Sequence, residues 1–439
     1  MLQTLKNAWR VPELRNKLLF TLLIILIYRL GASIPVPFVS PTIMNSFTTQ
    51  FGGSVLDFMS ILSGGAMAQA TLFALSVSPY ITASIVMQLL TIAIPPLERM
   101  AKEEDGKKKI NVITRYVTIA LALVTAFGYT MLLKNNGWLV ENVGTFEIIV
   151  MIACYCAGAS LIMWLAEKIN EFGIGNGISI ILFANIIASV PNMVMTVWSW
   201  IFPSFSFTTL NFSNFSVGGL IAAIVVIIAV VGLTVLSVWF TNSERKIPVQ
   251  YAKRVVGRKM YGGQGTHLPL KMNMAGVMPI IFASSIVSIP ATIVQLFGIS
   301  EKNGFGWFVD NYLQTDTWVY IILYLVLLVA FSYFYIMISF NPIEVANNIR
   351  NNGGAIPGIR PGRPTSDFIK KILDRVTLIG AGFLAVIAGL PMVAGIFSTQ
   401  VASLAFGGSS LLIVVGVALE TIRDLEAQMT MRNYKGFLD

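Results

Sequence analysis

Apolar residues form long uninterrupted stretches along this chain, and polar residues are confined to the gaps between the stretches. A helix of about 20 apolar residues spans the hydrocarbon of a bilayer, because each helical residue adds about 1.5 Å. The stretches of sufficient length are residues 18–36, 72–94, 110–133, 146–166, 174–195, 217–240, 273–297, 318–340, 372–395 and 404–421. This pattern predicts an all-α polytopic membrane protein with ten transmembrane helices.

Basic residues are distributed unevenly among the polar gaps. Nearly all of the 30 Lys and Arg residues lie in alternate gaps or at the two ends, whereas the intervening gaps carry only Lys134 and Lys302. Arg29 lies near the far end of the first stretch, where we expect its long side chain to reach toward lipid headgroups. By the positive-inside rule, the basic gaps and both termini face the cytoplasm. We interpret the first stretch as a retained span, since no small-residue cleavage site follows it.

Composition excludes a water-soluble domain and offers little for catalysis. Apolar residues make up 55% of the chain and charged residues 12%, and the mean hydropathy is +0.75. His267 is the only histidine, so neither a metal site nor a histidine-based catalytic site is predicted. The sequence contains no Gly-x-x-x-x-Gly-Lys-Ser/Thr loop, so any nucleotide hydrolysis must come from another protein. We expect no enzymatic activity and no cofactor.

One apolar run is too long for a single span. Residues 55–97 carry one charge, and a straight helix of that length would measure about 60 Å, twice the thickness of the hydrocarbon. Gly64 and Gly65 favour a first break, and Pro79 predicts a kink farther along. The run therefore predicts a re-entrant half-helix over residues 56–70, buried in protein or facing water. An ordinary amphipathic loop is the alternative.

A short segment recurs at an offset of 200 positions. Val77, Pro79, Ile81, Ala83 and Ser84 are repeated with the same spacing as Val277, Pro279, Ile281, Ala283 and Ser284. The two copies fall in the second and seventh predicted spans, which correspond if each half holds five spans. Such halves, residues 1–200 and 217–439, must be inverted and pseudo-symmetric, and paired interrupted helices at their interface indicate a central pathway. Chance similarity between two apolar helices is the alternative.

The middles of the spans are almost free of charged residues, although carriers coupled to ions usually bury one. This absence favours a pathway that is closed by apolar side chains. Ile178 and Leu182, like Val77 and Ile81, are four positions apart and share a helix face. Rings of such side chains exclude water from a pore. Ordinary helix packing is the competing explanation for each of them.

Two cytoplasmic loops, residues 241–271 and 341–371, are long and rich in Gly, Pro, Arg and Lys. Orienting the chain in the membrane requires fewer basic residues than these loops hold. Their charge predicts a negatively charged partner, either anionic lipid, ribosomal RNA or an acidic protein groove.

Several motifs are more specific than these patterns. They are residues 78–85 (SPYITASI), 173–180 (GIGNGISI), 251–254 (YAKR), 266–271 (THLPLK), 273–277 (NMAGV) and 357–362 (PGIRPG). Together they resemble the SecY/Sec61-alpha family of protein-conducting channels, and the resemblance covers essentially the whole chain. It implies a multi-pass bacterial plasma-membrane protein that passes unfolded secretory polypeptides across the bilayer and releases transmembrane segments sideways into lipid.

The resemblance also implies a channel constricted by aliphatic side chains and closed by a short plug helix. The pore ring then consists of Val77, Ile81, Ile178, Leu182, Ile281 and Ile413. The family commonly has Ile at several of these positions, so Val77 and Leu182 are mild departures that keep the ring apolar. The plug falls on the predicted half-helix and includes Asp57, Phe58, Ile61, Leu62, Gly64 and Gly65.

In this family the second and seventh spans form a lateral gate for signal sequences. The polar candidates along that gate are Thr82, Gln88, Asn273 and Ser285. The basic loops are implied to dock the SecA motor ATPase and the ribosome, through Lys253, Arg254, Arg258, Lys259 and Arg360. SecE and SecG are the expected partner subunits, and secretory preproteins are the expected substrates.

Two other functions fit the residue pattern alone. A secondary transporter of a small neutral solute would also use inverted halves and broken helices. A membrane scaffold for the ribosome would explain the basic loops, but it leaves the broken helices without a role.

Overall fold

The computed structural model describes residues 6–435, apart from residues 7, 41–42, 44–46, 48–54, 104–105, 141–142, 203–216, 252–253, 257–258, 262–264, 298–303, 315–316 and 398–406. The described helices are α1 (Pro12–Gly31), α2 (Val55–Leu62), α3 (Ser78–Ala93), α4 (Pro95–Lys102), α5 (Gly106–Asn135), α6 (Thr145–Phe172), α7 (Gly177–Ile201), α8 (Val217–Thr241), α9 (Met278–Phe297), α10 (Gly304–Tyr312), α11 (Trp318–Ser339), α12 (Pro342–Asn351), α13 (Arg363–Phe397) and α14 (Gly407–Lys435). Each apolar stretch predicted as a span overlaps one of the longer helices.

Six of the described helices are each long and apolar enough to cross a membrane. The pair α3 and α4 makes a seventh if the two are counted as one bent span. The mainly helical, multi-span architecture predicted from the sequence is therefore confirmed, and the count of ten spans stays a prediction.

The helix α3 differs in shape from the expected kinked span. Pro79 lies in the first turn of α3, where a proline costs little because the first backbone N–H groups of a helix need no partner within it. The predicted kink at Pro79 is therefore wrong. The break instead follows Ile94, where Pro95 begins α4 and the chain bends by 105°.

The re-entrant helix is shorter than predicted. The helix α2 ends at Leu62 rather than at Ala70, and the chain then runs through turns as far as Val77. Gly64 and Gly65 adopt φ angles of +68° and +83°, the left-handed region that stops a helix. The break predicted at these two glycines is confirmed, but the extent of 56–70 for the half-helix is wrong.

The basic loops contain strands, so the chain is not purely α-helical. The strands are β1 (Glu244–Tyr251), β2 (Arg254–Val256), β3 (Lys259–Tyr261), β4 (Gly265–Lys271) and β5 (Gly354–Ala355). Strand β1 pairs antiparallel with β4, with Ile247 opposite Leu268, and its end pairs antiparallel with β5. Since β5 belongs to the second loop, the two basic loops form one three-stranded sheet in the order β4-β1-β5.

The largest hydrophobic core lies where the two predicted halves meet. It joins Tyr28 of α1, Ile81 of α3 and Leu182 of α7 to Ile281 of α9 and Ile413 of α14. A separate small core lies beneath the sheet and contains Ile247, Val249, Leu270, Ile349, Ile356 and Ile369. The sheet is therefore packed on its own apolar layer.

Candidate pore constriction and basic docking face

The two copies of the repeated segment occupy equivalent places in the fold. Ser78 and Met278 are the first residues of α3 and α9, so Ile81 and Ile281 are each the fourth residue of a helix. The N–H of Ile81 donates to the carbonyl of Val77 at 3.0 Å, and the N–H of Ile281 donates to the carbonyl of Val277 at 3.3 Å. The repeat thus sets two isoleucines at matching helix positions.

The glycine-rich motif at residues 173–180 positions the contribution of the fifth span. Asn176 caps α7, because its side chain accepts a hydrogen bond from the N–H of Ile178. Asn170 accepts the N–H of Gly177 at 2.7 Å, so the start of the helix is fixed from two sides. Leu182 follows one turn after Ile178 and is fully buried.

These elements meet around one small cavity at the centre of the molecule. Ile81, Leu182, Ile281 and Ile413 line it from α3, α7, α9 and α14. Its volume is about 30 Å³, which is room for one or two water molecules. Four of the six predicted ring residues therefore surround the same small cavity, whose other walls include serines as well as apolar side chains.

The other two ring residues lie in the packing around this cavity. Val77 is 1% exposed and belongs to the central core, while Ile178 is half-buried against that core. A glycine determines how closely the tenth span approaches. A Cβ at Gly416 would overlap the side chain of Val277, so a larger residue there would require Val277 or α14, which carries Ile413, to shift.

The short helix α2 covers one side of the cavity. Leu62, one of the predicted plug residues, lines the cavity, and Ile61 is half-buried beside it. Asp57 and Phe58 lie within α2, but their side chains are outside the described residues. Met59 and Met67 also line the cavity; they lie within the half-helix predicted over residues 56–70 but were not among the predicted plug residues. Only the flexibility and bulk of methionine would have suggested them.

Arg29 has a different environment from the one predicted. Its Nη1 lies 3.5 Å from the carbonyl oxygen of Gly64, a long hydrogen bond at the turn that follows α2. The side chain is thus directed at the plug turn rather than at lipid headgroups. The positive φ of Gly64 exposes the carbonyl that it meets.

The four polar candidates for the lateral gate lie in different surroundings. Thr82 donates to the carbonyl of Ser78, and Gln88 donates to the hydroxyl of Ser84, so both bond within α3. Ser285 lines the central cavity. Asn273 lines a second small cavity whose other walls include Ser332, Ile336, Thr377 and Leu384. Asn273 thus lies against α11 and α13, and the assignment of these four residues to the lateral gate stays a prediction.

The basic docking face, which we define as the sheet β4-β1-β5 with helix α12 and residues 357–362, presents Arg360 to solvent. Gly358 and Gly362 adopt φ angles of +82° and +105° on either side of it. The hydroxyl of the buried Thr365 donates to the carbonyl of Arg360 at 2.9 Å. The backbone is therefore held while the guanidinium stays exposed, an arrangement that favours bidentate contacts with carboxylates or phosphates.

The remaining basic candidates lie beyond the three-stranded sheet. Arg254 and Lys259 belong to β2 and β3, an antiparallel pair in which Arg254 faces Tyr261. Lys253 and Arg258 lie outside the described residues. Positive charge also gathers at the base of the sheet, where burial and, secondarily, the neighbouring Arg423 lower the pKa of Lys271 below its usual value.

This sheet was not predicted from the sequence, although period-two alternation of apolar residues in the loop could have indicated strands β1 and β4. Ile247 and Val249 are buried between exposed neighbours, and Leu268 and Leu270 alternate in the same way on the paired strand. The contact of β1 with β5 could not be read from spacing, because it joins loops about 100 residues apart.

The sequence model of the SecY family matches residues 71–422, a range that includes both repeated segments and the basic docking face. The chain belongs to the SecY family. Protein translocase subunit SecY of Streptomyces coelicolor is 42% identical, and those of Streptomyces galbus and Mycobacterium tuberculosis are 41% identical. Each alignment covers 100% of both chains.

Solved structures with low sequence identity share the SecY fold. A structure described as that of a protein conducting channel has a TM-score of 0.64 at 18% identity, and 94% of this chain and 92% of that chain are covered. Sec61 in the canine ribosome-channel complex from the endoplasmic reticulum has a TM-score of 0.61 at 16% identity, with the same coverage. The architecture around the cavity is thus that of the SecY family.

Proposed function

We propose that this chain is the protein-conducting channel of a membrane protein translocase. The observation that carries the proposal is the meeting of Ile81, Leu182, Ile281 and Ile413 at one narrow cavity covered by the short helix α2. Membership in the SecY family, whose relatives are named protein translocase subunits, supports the same function.

The ring of aliphatic side chains closes the resting channel. A narrow apolar constriction cannot replace the hydration shell of an ion, so it excludes ions by dewetting. An extended polypeptide displaces α2 and passes between the four helices. The aliphatic side chains then close around the polypeptide and limit leakage of ions beside it. No chemical step is required, so the chain acts as a passive conduit.

Lateral release uses the contact between α3 and α9, the second and seventh predicted spans. These helices carry the two copies of the repeat, and they pack against each other in the closed molecule. When they separate, an apolar segment of the translocating chain exchanges water for lipid and leaves sideways. Thr82 and Ser285 are the gate residues that we retain in this proposal.

The basic docking face binds the motor or the ribosome. The energy source is an external ATPase of the SecA type or the translating ribosome, and the negatively charged groups of either partner meet Arg360 on this face and Arg254 and Lys259 on the adjoining strands. Subunits of the SecE and SecG type accompany the channel in the bacterial plasma membrane. Both termini and the basic docking face are cytoplasmic, in accord with the positive-inside rule.

A transporter of a small neutral solute fits the structure less well. The central cavity holds one or two water molecules, whereas sites for small ligands usually measure several hundred Å³. A ribosome scaffold would leave the cavity and α2 without a function.

The test is a disulfide crosslink between a stalled secretory precursor and the ring. Ile81→Cys and Ile281→Cys are made singly in a chain whose Cys154 and Cys156 are replaced, and the precursor is driven by SecA and ATP. Exposed Ile289→Cys on α9 is the matched control. Crosslinks at both ring positions and not at the control are expected. Their absence in an inserted complex that binds SecA would overturn the proposal and favour the transporter or the scaffold.

A further inference from the structure

A buried amide lies one turn beyond the pore ring on α7. Asn185 is 0% exposed, and its Nδ2 donates to the carbonyl of Leu62 at 2.8 Å and to the hydroxyl of Ser76 at 3.2 Å. The Ser76 hydroxyl lies 3.4 Å from the same carbonyl. A polar side chain at this depth is costly unless it is hydrogen-bonded, so these contacts determine where Asn185 can sit. We call this group the plug clasp.

The plug clasp joins the three parts of the molecule that must separate when the pore opens. Leu62 is the last residue of α2, and the final carbonyls of a helix lack partners within it, so Asn185 satisfies one of them. Ser76 immediately precedes the ring residue Val77 and adopts a φ of +50°. Serine rarely adopts that conformation without support from its surroundings. The clasp therefore ties the end of α2 to α7 and to the start of α3.

The chain beyond Leu62 is anchored differently. The hydroxyl of Tyr129 on α5 donates to the carbonyl of Met67, and the hydroxyl of Tyr155 on α6 donates to that of Ala70 at 3.5 Å. Gly64 and Gly65 separate this anchored segment from the clasp, and both have positive φ. Positive φ at both glycines suits a hinge, so α2 can swing away once Arg29 releases the carbonyl of Gly64, while residues 67–70 stay attached to α5 and α6.

The clasp is only partly satisfied, which suits a contact that must break. Among the described residues, Asn185 Oδ1 accepts no hydrogen bond of good geometry, although the buried Tyr28 hydroxyl lies beside both Asn185 and Ser76. When the pore fills with water, water satisfies both ends of the amide, so hydration lowers the cost of opening. Thr292 on α9 holds α2 from the opposite side, where its hydroxyl lies 3.6 Å from the sulfur of Met59.

We propose that Asn185 is a positioning residue that holds α2 over the pore ring, and that opening requires Asn185 to release Leu62 and Ser76. This inference rests on the proposed channel function and specifies how its closed state is maintained. Asn185 acts by positioning α2 and does not belong to the apolar ring itself.

The test measures the resting leak of the channel. The full chain, purified with its partner subunits and with Cys154 and Cys156 replaced, is reconstituted into liposomes, and potassium efflux is followed without motor or precursor. Asn185→Leu keeps the size of the side chain but removes its donors. Ser76→Ala removes the hydroxyl that accepts a hydrogen bond from Asn185. This second variant still tests the clasp if Asn185→Leu does not assemble. The matched control is Asn192→Ala, two turns along α7, where the side chain is exposed.

We expect efflux to rise about 5- to 30-fold in Asn185→Leu and by a smaller factor in Ser76→Ala, since hydrogen bonds of ordinary strength are lost. Efflux through Asn192→Ala should match the parent. The double variant should leak no more than Asn185→Leu, because both substitutions break one contact. Parental efflux in both single variants would overturn the inference.

A crosslink separates plug positioning from general destabilisation. Met59→Cys and Thr292→Cys are joined by a short thiol-specific crosslinker in the Asn185→Leu background. Joining them should return efflux to the parental level, because α2 is held by a second contact. Efflux that stays high after complete crosslinking would contradict the inference.

The precursor crosslinks at Ile81 and Ile281 distinguish a failure of the plug-clasp inference from a failure of the proposed channel function. If the precursor crosslinks normally but efflux is unchanged in the clasp variants, only the inference about Asn185 is overturned. Loss of precursor crosslinking in the parent defeats the channel function itself.

Discussion

Ile81 and Ile281 stand 200 positions apart in the sequence, yet both line the same central cavity. Each is the fourth residue of its helix and follows a proline in the first turn. The repeated segment therefore supplies apolar contacts from two sides of one constriction. Such an arrangement is expected when two related halves meet in opposite orientations around a central pathway.

A polar residue at the constriction should make the closed channel leak. Ile281→Ser removes most of the buried apolar surface that this side chain contributes, which weakens the closed contact by roughly 1–3 kcal/mol. We expect potassium efflux from liposomes to rise at least about fivefold, since the hydroxyl also permits water to enter. Ile289→Ser lies two turns along α9 at an exposed position and should leave efflux unchanged. Equal efflux in the two variants would remove Ile281 from the seal.

Charge reversal in the rigid turn of the basic docking face should uncouple the motor. Arg360→Glu places a carboxylate where an anionic partner requires a guanidinium, whereas the buried contacts of Thr365 preserve the turn. ATP-driven export of a precursor into vesicles should fall to background, while insertion of the channel itself is normal. Arg360→Lys should restore only part of the export, because an ammonium makes no bidentate contact.

The control for this prediction lies three residues along the chain. Arg363 is the first residue of α13, and a glutamate is favourable at a helix start. Arg363→Glu changes the net charge by the same amount, so it should retain export if position matters more than total charge. Normal export by Arg360→Glu would refute the assignment of Arg360 to motor coupling.

The closest helix contact behind the plug segment should be sensitive to one methyl group. A Cβ at Gly158 of α6 would overlap the carbonyl oxygen of Leu72, and a backbone atom cannot turn aside as a side chain can. We expect Gly158→Ala to lower the free energy of unfolding by about 1–3 kcal/mol. Thermal denaturation of the complex in detergent measures this loss as a lower midpoint.

Gly382 provides the comparison within α13. No atom lies within 4 Å of a Cβ placed there, so Gly382→Ala should be neutral or should stabilise the helix by up to about 1 kcal/mol. Similar midpoints for the two variants would show that α6 does not approach Leu72 this closely.

The positions of the long helices could be predicted from the apolar stretches of the sequence alone. Hydrophobic runs must be buried in lipid or protein, and their length sets the type of element, so each stretch from 18–36 to 404–421 overlaps a described helix. The break at Gly64 and Gly65 was also predictable, because the run was too long and glycine reaches positive φ freely. The resemblance to a known family then added the ring positions residue by residue.

The tertiary structure decided the contacts between distant segments. It ended α2 at Leu62, joined the two basic loops through β5, and placed Asn273 in a cavity lined by α11 and α13. Asn185 carried no motif, and only the approach of α2 to α7 gives it the carbonyl of Leu62 as a partner. The physical reason is that a local pattern specifies which face of an element is apolar, whereas the choice of partner depends on how all the helices pack together.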